Sequence, residues 1–258
     1  MGHWYDSVGN PRHFEGKDGK GTTLREARKL CLYPSVTTIG NIKSKFQLTN
    51  WLQEQAALMA VAMMDGRTVF DVDWAKEVVR ASREATMAKA DEGTDIHDIL
   101  ERFQANPASI VNEGEFQMCE QVAFCVEAET GMDFFDSFKT ETRFCDTTHG
   151  YAGMCDLHND TWFIDYKSKD TVDDKTRGWK EQAEQLAAYA NGIGYPAARL
   201  ANVFISRTPP ADGEPWGVRW FEHKDDMAWE RFRHALMMWQ VENKFGPYFD
   251  SLSAKIAA

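Results

Sequence analysis

Two aspartates and a lysine lie within an otherwise aromatic and aliphatic stretch of the chain. The stretch is YAGMCDLHNDTWFIDYKSK, residues 151–169, and it contains Asp156, Asp165 and Lys167. Short, partly alternating apolar runs separated by turn residues predict strands of a sheet. Charged side chains inside a predicted sheet core need a chemical reason, because burying an unpaired charge is costly.

The hairpin within this stretch decides whether the charged side chains meet. A turn at residues 159–160 would pair His158 with Thr161 and Asp156 with Phe163. The Asn, Asp and Thr at this turn are residues that favour such a connection.

In that register Asp156, Asp165 and Lys167 project from one face of the sheet, and Trp162, Ile164 and Tyr166 project from the other. Asp156 and Asp165 become diagonal neighbours with Cα atoms roughly 7–8 Å apart, a gap that suits one or two metal ions. A slip of one residue would bury the charges and expose the tryptophan, so the pattern favours the metal-site register.

Each further signal is weak when it is taken alone. Asp-x-Lys also occurs at 18–20 and 173–175. Gln185 and Tyr189 share one face of a predicted helix at i and i+4, and His97 lies on another predicted helix. Residues of these types on helices are more often ordinary core or surface residues than ligands.

The periodicity predicts a helical N-terminal part followed by a helix–strands–helix–strands order. Helices are predicted at 48–64, 72–103 with a break near 92–95, 114–131, 174–194 and 225–245. The last of these helices carries an apolar stripe of Met227, Phe232, Leu236 and Trp239. Strands are predicted at 134–145, 151–158, 161–168, 198–206 and 216–223.

Composition indicates a globular, soluble and cytoplasmic protein. The chain has 258 residues, 43% of them hydrophobic, without an apolar run of the about 18 residues that a membrane span needs. Its start lacks the features of a secretory signal. The net charge of −11 does not exclude nucleic acid, because exposed charges are screened and basic residues cluster at 12–29 and 167–180.

Taken together and in order, the motifs resemble the PD-(D/E)xK nuclease superfamily. The resemblance is closest to the RecB-like exonucleases, in the group of the mitochondrial genome-maintenance exonuclease and its bacteriophage relatives. It covers about residues 33 to 206. The motifs are Gly93-x-x-x-His97, Glu141, Gly153-x-x-Asp156, Asp165-x-Lys167 and Gln185-x-x-x-Tyr189.

The resemblance implies a metal-dependent active site. Asp156, Asp165 and the backbone carbonyl of Tyr166 would hold one or two Mg²⁺ or Mn²⁺ ions, with His97 as a further ligand. A coordinated water of lowered pKa would attack phosphorus in line. Lys167 would orient or deprotonate that water or offset charge in the transition state, and the sequence leaves these roles open.

Five further positions receive roles from the resemblance. Glu141 would be the acid that precedes the motif, either touching metal or supporting the catalytic lysine. Gln185 and Tyr189 would position the site or the nucleic-acid backbone, and Ser168 and Lys169 would also contact substrate.

The resemblance also implies the architecture. We expect an α/β protein with a restriction-endonuclease-like core, a mixed central sheet flanked by helices, and an N-terminal helical subdomain. Residues 1–110 would form the extension and the helical subdomain that contributes His97, and residues 111–258 the nuclease core with the C-terminal helix. We expect the two parts to form one integrated globular unit. Some relatives hold an iron–sulfur cluster with downstream cysteines, but no Cys follows Cys155, so no such cluster is expected.

The implied function is metal-dependent exonucleolytic hydrolysis of DNA, favouring single-stranded ends, in phage-type recombination, replication or DNA degradation. The implied partners are DNA and a recombination or replication protein, without a membrane. Two alternatives stay open: a structure-specific endonuclease, and a nuclease-like DNA-binding module without activity.

Overall fold

The computed structural model describes residues 2–43, 46–66 and 70–257, without the side chains of 46–48, 87–94 and 257. Seven strands and eight α-helices form within these ranges. The strands are β1 (Trp4–Tyr5), β2 (Tyr33–Pro34), β3 (Lys139–Asp146), β4 (Tyr151–His158), β5 (Trp162–Lys169), β6 (Arg199–Ser206) and β7 (Val218–His223). The helices are α1 (Leu24–Lys29), α2 (Val36–Gly40), α3 (Phe46–Ala62), α4 (Val72–Ala105), α5 (Glu113–Thr130), α6 (Lys180–Ile193), α7 (Ala228–Asn243) and α8 (Pro247–Ala257).

The central sheet has five strands in the order β3-β4-β5-β6-β7. All neighbouring pairs are antiparallel except β5 and β6, which run parallel. Parallel strands need a crossover connection, and α6 supplies it. The predicted mixed sheet flanked by helices is therefore confirmed.

Helices α5 and α6 cover opposite faces of this sheet. On β5, the side chains of Trp162 and Tyr166 point to one face of the sheet and that of Phe163 points to the other. Tyr166 lies near Cys119 of α5, whereas Phe163 belongs to one apolar cluster with Leu186 of α6. Because successive side chains of a strand point to opposite faces, the two helices lie on different sides.

The chain divides into two compact units, residues 1–43 with 99–258, and residues 44–98. Residues 1–43 fall in the same unit as the sheet because β2 lies beside β4, with a bridge from Ser35 to Ala152, and Trp4 is buried against Trp239. This division differs from the predicted boundary at residue 110.

The unit of residues 44–98 contains α3 and most of α4. Helix α4 runs without interruption through residues 92–95, so the predicted break there is wrong. A glycine inside a helix costs only about 1 kcal/mol relative to alanine, and the helix formers around Gly93 outweigh that cost. A small cavity of about 30 Å³ in this unit is lined by Trp51 and Ser82, among others.

The C-terminal part contains a helix that the sequence pattern did not predict. Lys244 (φ 49°) and Gly246 (φ 105°) end α7 in left-handed conformations, and Pro247 begins α8, as proline often begins helices. The predicted apolar stripe of α7 is buried at Phe232, Leu236 and Trp239. Met227 precedes the helix and is exposed, so its inclusion in the stripe was wrong.

No helix within the described ranges is long and apolar enough to cross a membrane.

The close contact between α6 and β3 predicts how a substitution at Gly192 changes the free energy of unfolding. A Cβ on Gly192 of α6 would overlap the ring of Phe144. We expect Gly192→Ala to lower the free energy of unfolding by about 1–3 kcal/mol, because overpacking moves the ring or the helix. Urea unfolding measures this change.

Gly40→Ala is the matched control, since a Cβ on Gly40 meets no atom within 4 Å. Its free energy of unfolding should stay within about 1 kcal/mol of wild type. Equal losses in the two variants would contradict the close contact at Gly192.

Candidate active site

The turn between β4 and β5 fixes the register of the hairpin. The Asn159 side-chain Oδ1 accepts hydrogen bonds from the backbone N–H groups of Thr161 and Trp162, each at 2.8 Å, and Asn159 N donates to Trp162 O at 2.9 Å. This Asx turn pairs His158 with Phe163, so the predicted pairing of His158 with Thr161 is wrong.

The corrected register brings the two aspartates closer than predicted. The ladder ends at the pair Leu157–Ile164, and the next positions on the two strands are Asp156 and Asp165. The aspartates are therefore cross-strand neighbours, not diagonal ones. The register differs from the predicted one by two residues, so each residue of β5 keeps its predicted face.

Asp156 lies where β4 and β5 stop pairing through their backbones. Its side chain is in the interior, with the residue 8% exposed, and its Oδ2 accepts the backbone N–H of Tyr166 at 2.8 Å. The carboxylate thus supplies the acceptor for a strand N–H that lies beyond the end of the ladder. This hydrogen bond holds Asp156 beside β5.

Asp165 is 2% exposed and is held by two donors at one oxygen. Its Oδ2 lies 2.6 Å from Lys167 Nζ and 2.8 Å from Asn202 Nδ2. Asn202 Nδ2 also donates to the Asp165 backbone carbonyl at 3.0 Å, and Asn202 Oδ1 lies 2.7 Å from His223 Nε2. Burial lowers the pKa of His223 to about 4, so the ring is neutral near pH 7 and Nε2–H donates.

Sequence reasoning missed Asn202 and His223. A signal was present for Asn202, because a fully buried asparagine interrupts the apolar run LANVFIS of β6. Asparagine is depleted in strands, so its position in a central strand indicates a specific partner. Nothing in the local sequence distinguished His223, whose partner lies on the neighbouring strand.

Lys167 connects the carboxylates to α6. Its Nζ donates to Gln185 Oε1 at 3.3 Å, and Gln185 Nε2 donates to Tyr189 Oη at 2.6 Å. The predicted sharing of one helix face by Gln185 and Tyr189 is confirmed. Burial alone would lower the pKa of Lys167, but the charges of Asp165 and Asp156 and the bond to Asp165 raise it overall.

Burial raises the pKa of Tyr189, and the charges of Asp165 and Asp156 raise it further. Tyr189 and Lys167 are thus in the field of the same two carboxylates. The structure therefore brings Asp156, Asp165, Lys167, Gln185 and Tyr189 into one neighbourhood.

Gly153 allows α6 to approach β4 at this point. A Cβ on Gly153 would lie 3.0 Å from carbon atoms of both Phe144 and Tyr189. This distance is tighter than most real contacts, so a larger residue would displace one of the two rings. The spacing Gly153-x-x-Asp156 therefore places a close contact with α6 three residues before the carboxylate on β4.

Glu141 lies on β3 between Thr140 and Thr142, which pair with Leu157 and Cys155 of β4. This places Glu141 across from Asp156, in a left-handed conformation with φ 47°. Its charge contributes to raising the pKa of Tyr166, and the strand registers place Glu141, Asp156 and Asp165 at one level on three adjacent strands. Its predicted role with metal or lysine stays a prediction.

The end of β5 carries the two other predicted contact residues. Ser168 Oγ accepts a hydrogen bond from Arg207 Nη1 at 2.9 Å, and Arg207 also pairs with Asp170 at 2.6 Å. The Lys169 ammonium lies 4.7 Å from the centre of the Phe204 ring. Burial lowers the pKa of Lys169.

His97 belongs to the compact unit of residues 44–98, and its side chain is half-buried there. Gly93 of the same motif lies in the part of α4 whose side chains are outside the described set. The metal-ligand role predicted for His97 stays a prediction.

Metal-ligating side chains do not gather in threes among the residues that the structure describes. Asp156 and Asp165 form a pair of carboxylates, to which the Tyr166 carbonyl would add a third oxygen. Hard oxygen donors of this kind are the ligands that Mg²⁺ and Mn²⁺ take in proteins. The donor chemistry therefore fits the implied ion.

No protein-family model matches the chain, and a search of curated proteins finds no match to it.

The lowered pKa of His223 predicts a pH dependence of stability. The unfolded state binds a proton near pH 6.5 and the folded state only near pH 4, so stability contributed by neutral His223 is present above pH 6.5 and lost as the pH falls towards 4. The stability difference between wild type and His223→Gln should therefore increase with pH across this window.

Urea unfolding at intervals from pH 4 to 7.5 measures that difference. The slope should stay below about 1.4 kcal/mol per pH unit, because the unfolded state can bind at most one more proton than the folded state at this single site. A difference that does not change with pH would show that His223 titrates in the folded protein as it does in the unfolded chain.

Proposed function

We propose that this protein is a metal-dependent nuclease with a restriction-endonuclease-like core, acting on DNA. The observation that carries the proposal is the meeting of Asp156, Asp165 and Lys167 where β4 and β5 stop pairing. Two buried carboxylates and an ammonium on adjacent strands match the metal and phosphate chemistry that the motif order implies.

Asp156, Asp165 and the Tyr166 carbonyl would hold the ion. Two buried carboxylates close together repel each other, and a divalent cation offsets that repulsion while preferring hard oxygen donors. When bound, the ion would polarise a phosphate oxygen and lower the pKa of a coordinated water. Tyr166 N–H keeps Asp156 oriented towards β5.

Lys167 is proposed to stabilise negative charge on the phosphate. Its ammonium lies 2.6 Å from Asp165 Oδ2, beside the carboxylates that would hold the ion, and this position suits electrostatic stabilisation of a bound phosphate. Gln185 holds the ammonium from the side of α6 and is itself bonded to Tyr189. Glu141, on the neighbouring strand, is proposed to add negative charge near the ion or the lysine.

The end of β5 supports a nucleic-acid substrate. Ser168, Lys169 and Arg207 follow or flank Lys167, and side chains of these types bind phosphate oxygens. We infer single-stranded DNA ends as the substrate, with an exonucleolytic reaction of the kind used in phage recombination, replication or DNA degradation. Cytoplasmic location and a recombination or replication partner belong to the same proposal.

Cleavage of matched linear and circular single-stranded DNA tests this function. The linear substrate, end-labelled, should be degraded with Mg²⁺ or Mn²⁺ and should survive in EDTA. Asp165→Asn should reduce the rate by at least about 100-fold, because the ion loses one of its carboxylates. Asp226→Asn, a change at an exposed carboxylate outside the site, should leave the rate unchanged.

Cleavage of the circle as well would make the protein an endonuclease. DNA binding without cleavage in either metal would favour the alternative of a binding module. Full activity of Asp165→Asn would remove the proposed site from the reaction.

The hydrogen bond between Lys167 and Gln185 predicts how two substitutions on α6 change the rate constant for cleavage. Gln185→Leu should lower the rate constant for cleavage by about 10- to 100-fold, because Lys167 loses a partner that fixes its position. Tyr189→Phe should have a smaller effect, since it removes only the acceptor of the Gln185 amide. Single-turnover cleavage measures both, and a larger loss in Tyr189→Phe would contradict this order.

A further inference from the structure

A chain of polar contacts leads from the candidate site through β6 to the edge strand. Lys167 Nζ lies 2.6 Å from Asp165 Oδ2, and Asp165 accepts from Asn202 at 2.8 Å. Asn202 in turn lies 2.7 Å from His223 Nε2 on β7. The register places Asn202 directly beside Asp165 on the parallel neighbouring strand.

The amide of Asn202 can adopt one orientation here. Asn202 has no exposed surface, and its Nδ2 donates to both Oδ2 and the backbone oxygen of Asp165. A flipped amide would place Oδ1 against those two oxygens. His223 Nε2–H prevents the flip because it needs Oδ1 as an acceptor, and a buried donor without its acceptor is costly.

His223 is itself held by the segment that leads into α6. A Cβ on Gly178 would lie 2.5 Å from His223 Cε1 and 2.6 Å from Phe221 Cδ1, so the Gly178 backbone lies against the imidazole. Phe221 packs edge-on against the same ring with centroids 5.0 Å apart. The ring is therefore fixed on two sides as well as through its hydrogen bond.

We propose that Asn202 and His223 are positioning residues, which hold the Asp165 carboxylate in the orientation that a divalent ion needs. Asn202 acts through Asp165, and His223 acts through Asn202. This inference rests on the proposed function. Outer hydrogen bonds of this kind fix the geometry of ligating carboxylates and strengthen metal binding.

A purely structural role explains the residue types less well. Asn202 occupies a central strand between Ala201 and Val203, where a β-branched residue would favour the strand and fill the space. A buried asparagine and a half-buried neutral histidine cost desolvation that an apolar pair would avoid. Their presence as a bonded pair beside Asp165 has a reason if that carboxylate must be held in place.

Mn²⁺ binding to the full chain, followed by electron paramagnetic resonance, tests the proposal with two substitutions of His223. His223→Leu removes the donor to Asn202 and should weaken Mn²⁺ binding by about 10-fold. His223→Gln keeps an N–H donor at that position and should stay within about threefold of wild type. The Mg²⁺ concentration for half-maximal cleavage should change in the same order, with urea unfolding confirming that both variants are folded.

A folded His223→Leu variant that binds Mn²⁺ as tightly as wild type would overturn the positioning role and leave the nuclease proposal standing. Wild-type protein that neither binds Mn²⁺ nor cleaves DNA would overturn the proposed function and this inference together. Exchange of the Asn202 Nδ2 protons with solvent, measured by NMR in wild type, needs no variant. Slow exchange supports the polar chain, and exchange as fast as at exposed Asn106 would overturn it.

Discussion

The hydrogen bond from Tyr166 N–H to the Asp156 carboxylate is the interaction on which the candidate site depends. It forms just beyond the last backbone pair of β4 and β5, so a side chain replaces the ladder at that point. Asp156 is thereby held beside Asp165 in the sheet interior. Without this bond the strands would separate with a buried N–H left unpaired, at a cost of about 1–3 kcal/mol.

The elements around this point of the sheet have two effects. They let α6 approach β4 closely, and they fix the Asp165 side chain from β6. Gly153 and Gly192 remove two side chains, which lets Phe144 and Tyr189 pack between β4 and the helix. Gln185 then reaches Lys167. On the other side, the parallel neighbour β6 supplies Asn202, which fixes Asp165.

Much of the fold could be predicted because its signals are local. The alternation of β5 and the capping of α5, with Gly131 in a left-handed conformation after its last turn, depend on neighbouring residues in the chain. The predicted hairpin register was wrong by two residues, because Asn159-Asp160 also suits a two-residue turn one position earlier than the Asx turn that forms. His223 was missed because its partner lies on the adjacent strand, and the asparagine within LANVFIS indicated a partner for Asn202 without identifying it. Helix α8 was missed because Gly246-Pro247 is typical of a helix end.

A crystal structure of the protein grown with Mn²⁺, with anomalous data collected at the manganese edge, tests the central claim most directly. We expect an anomalous peak bound by carboxylate oxygens of both Asp156 and Asp165 and by the Tyr166 carbonyl. Lys167 should remain beside the peak. The absence of a peak at these residues at a saturating Mn²⁺ concentration would contradict the proposed metal site, if the Lys167–Asp165 ion pair and the Asp156–Tyr166 hydrogen bond are unchanged.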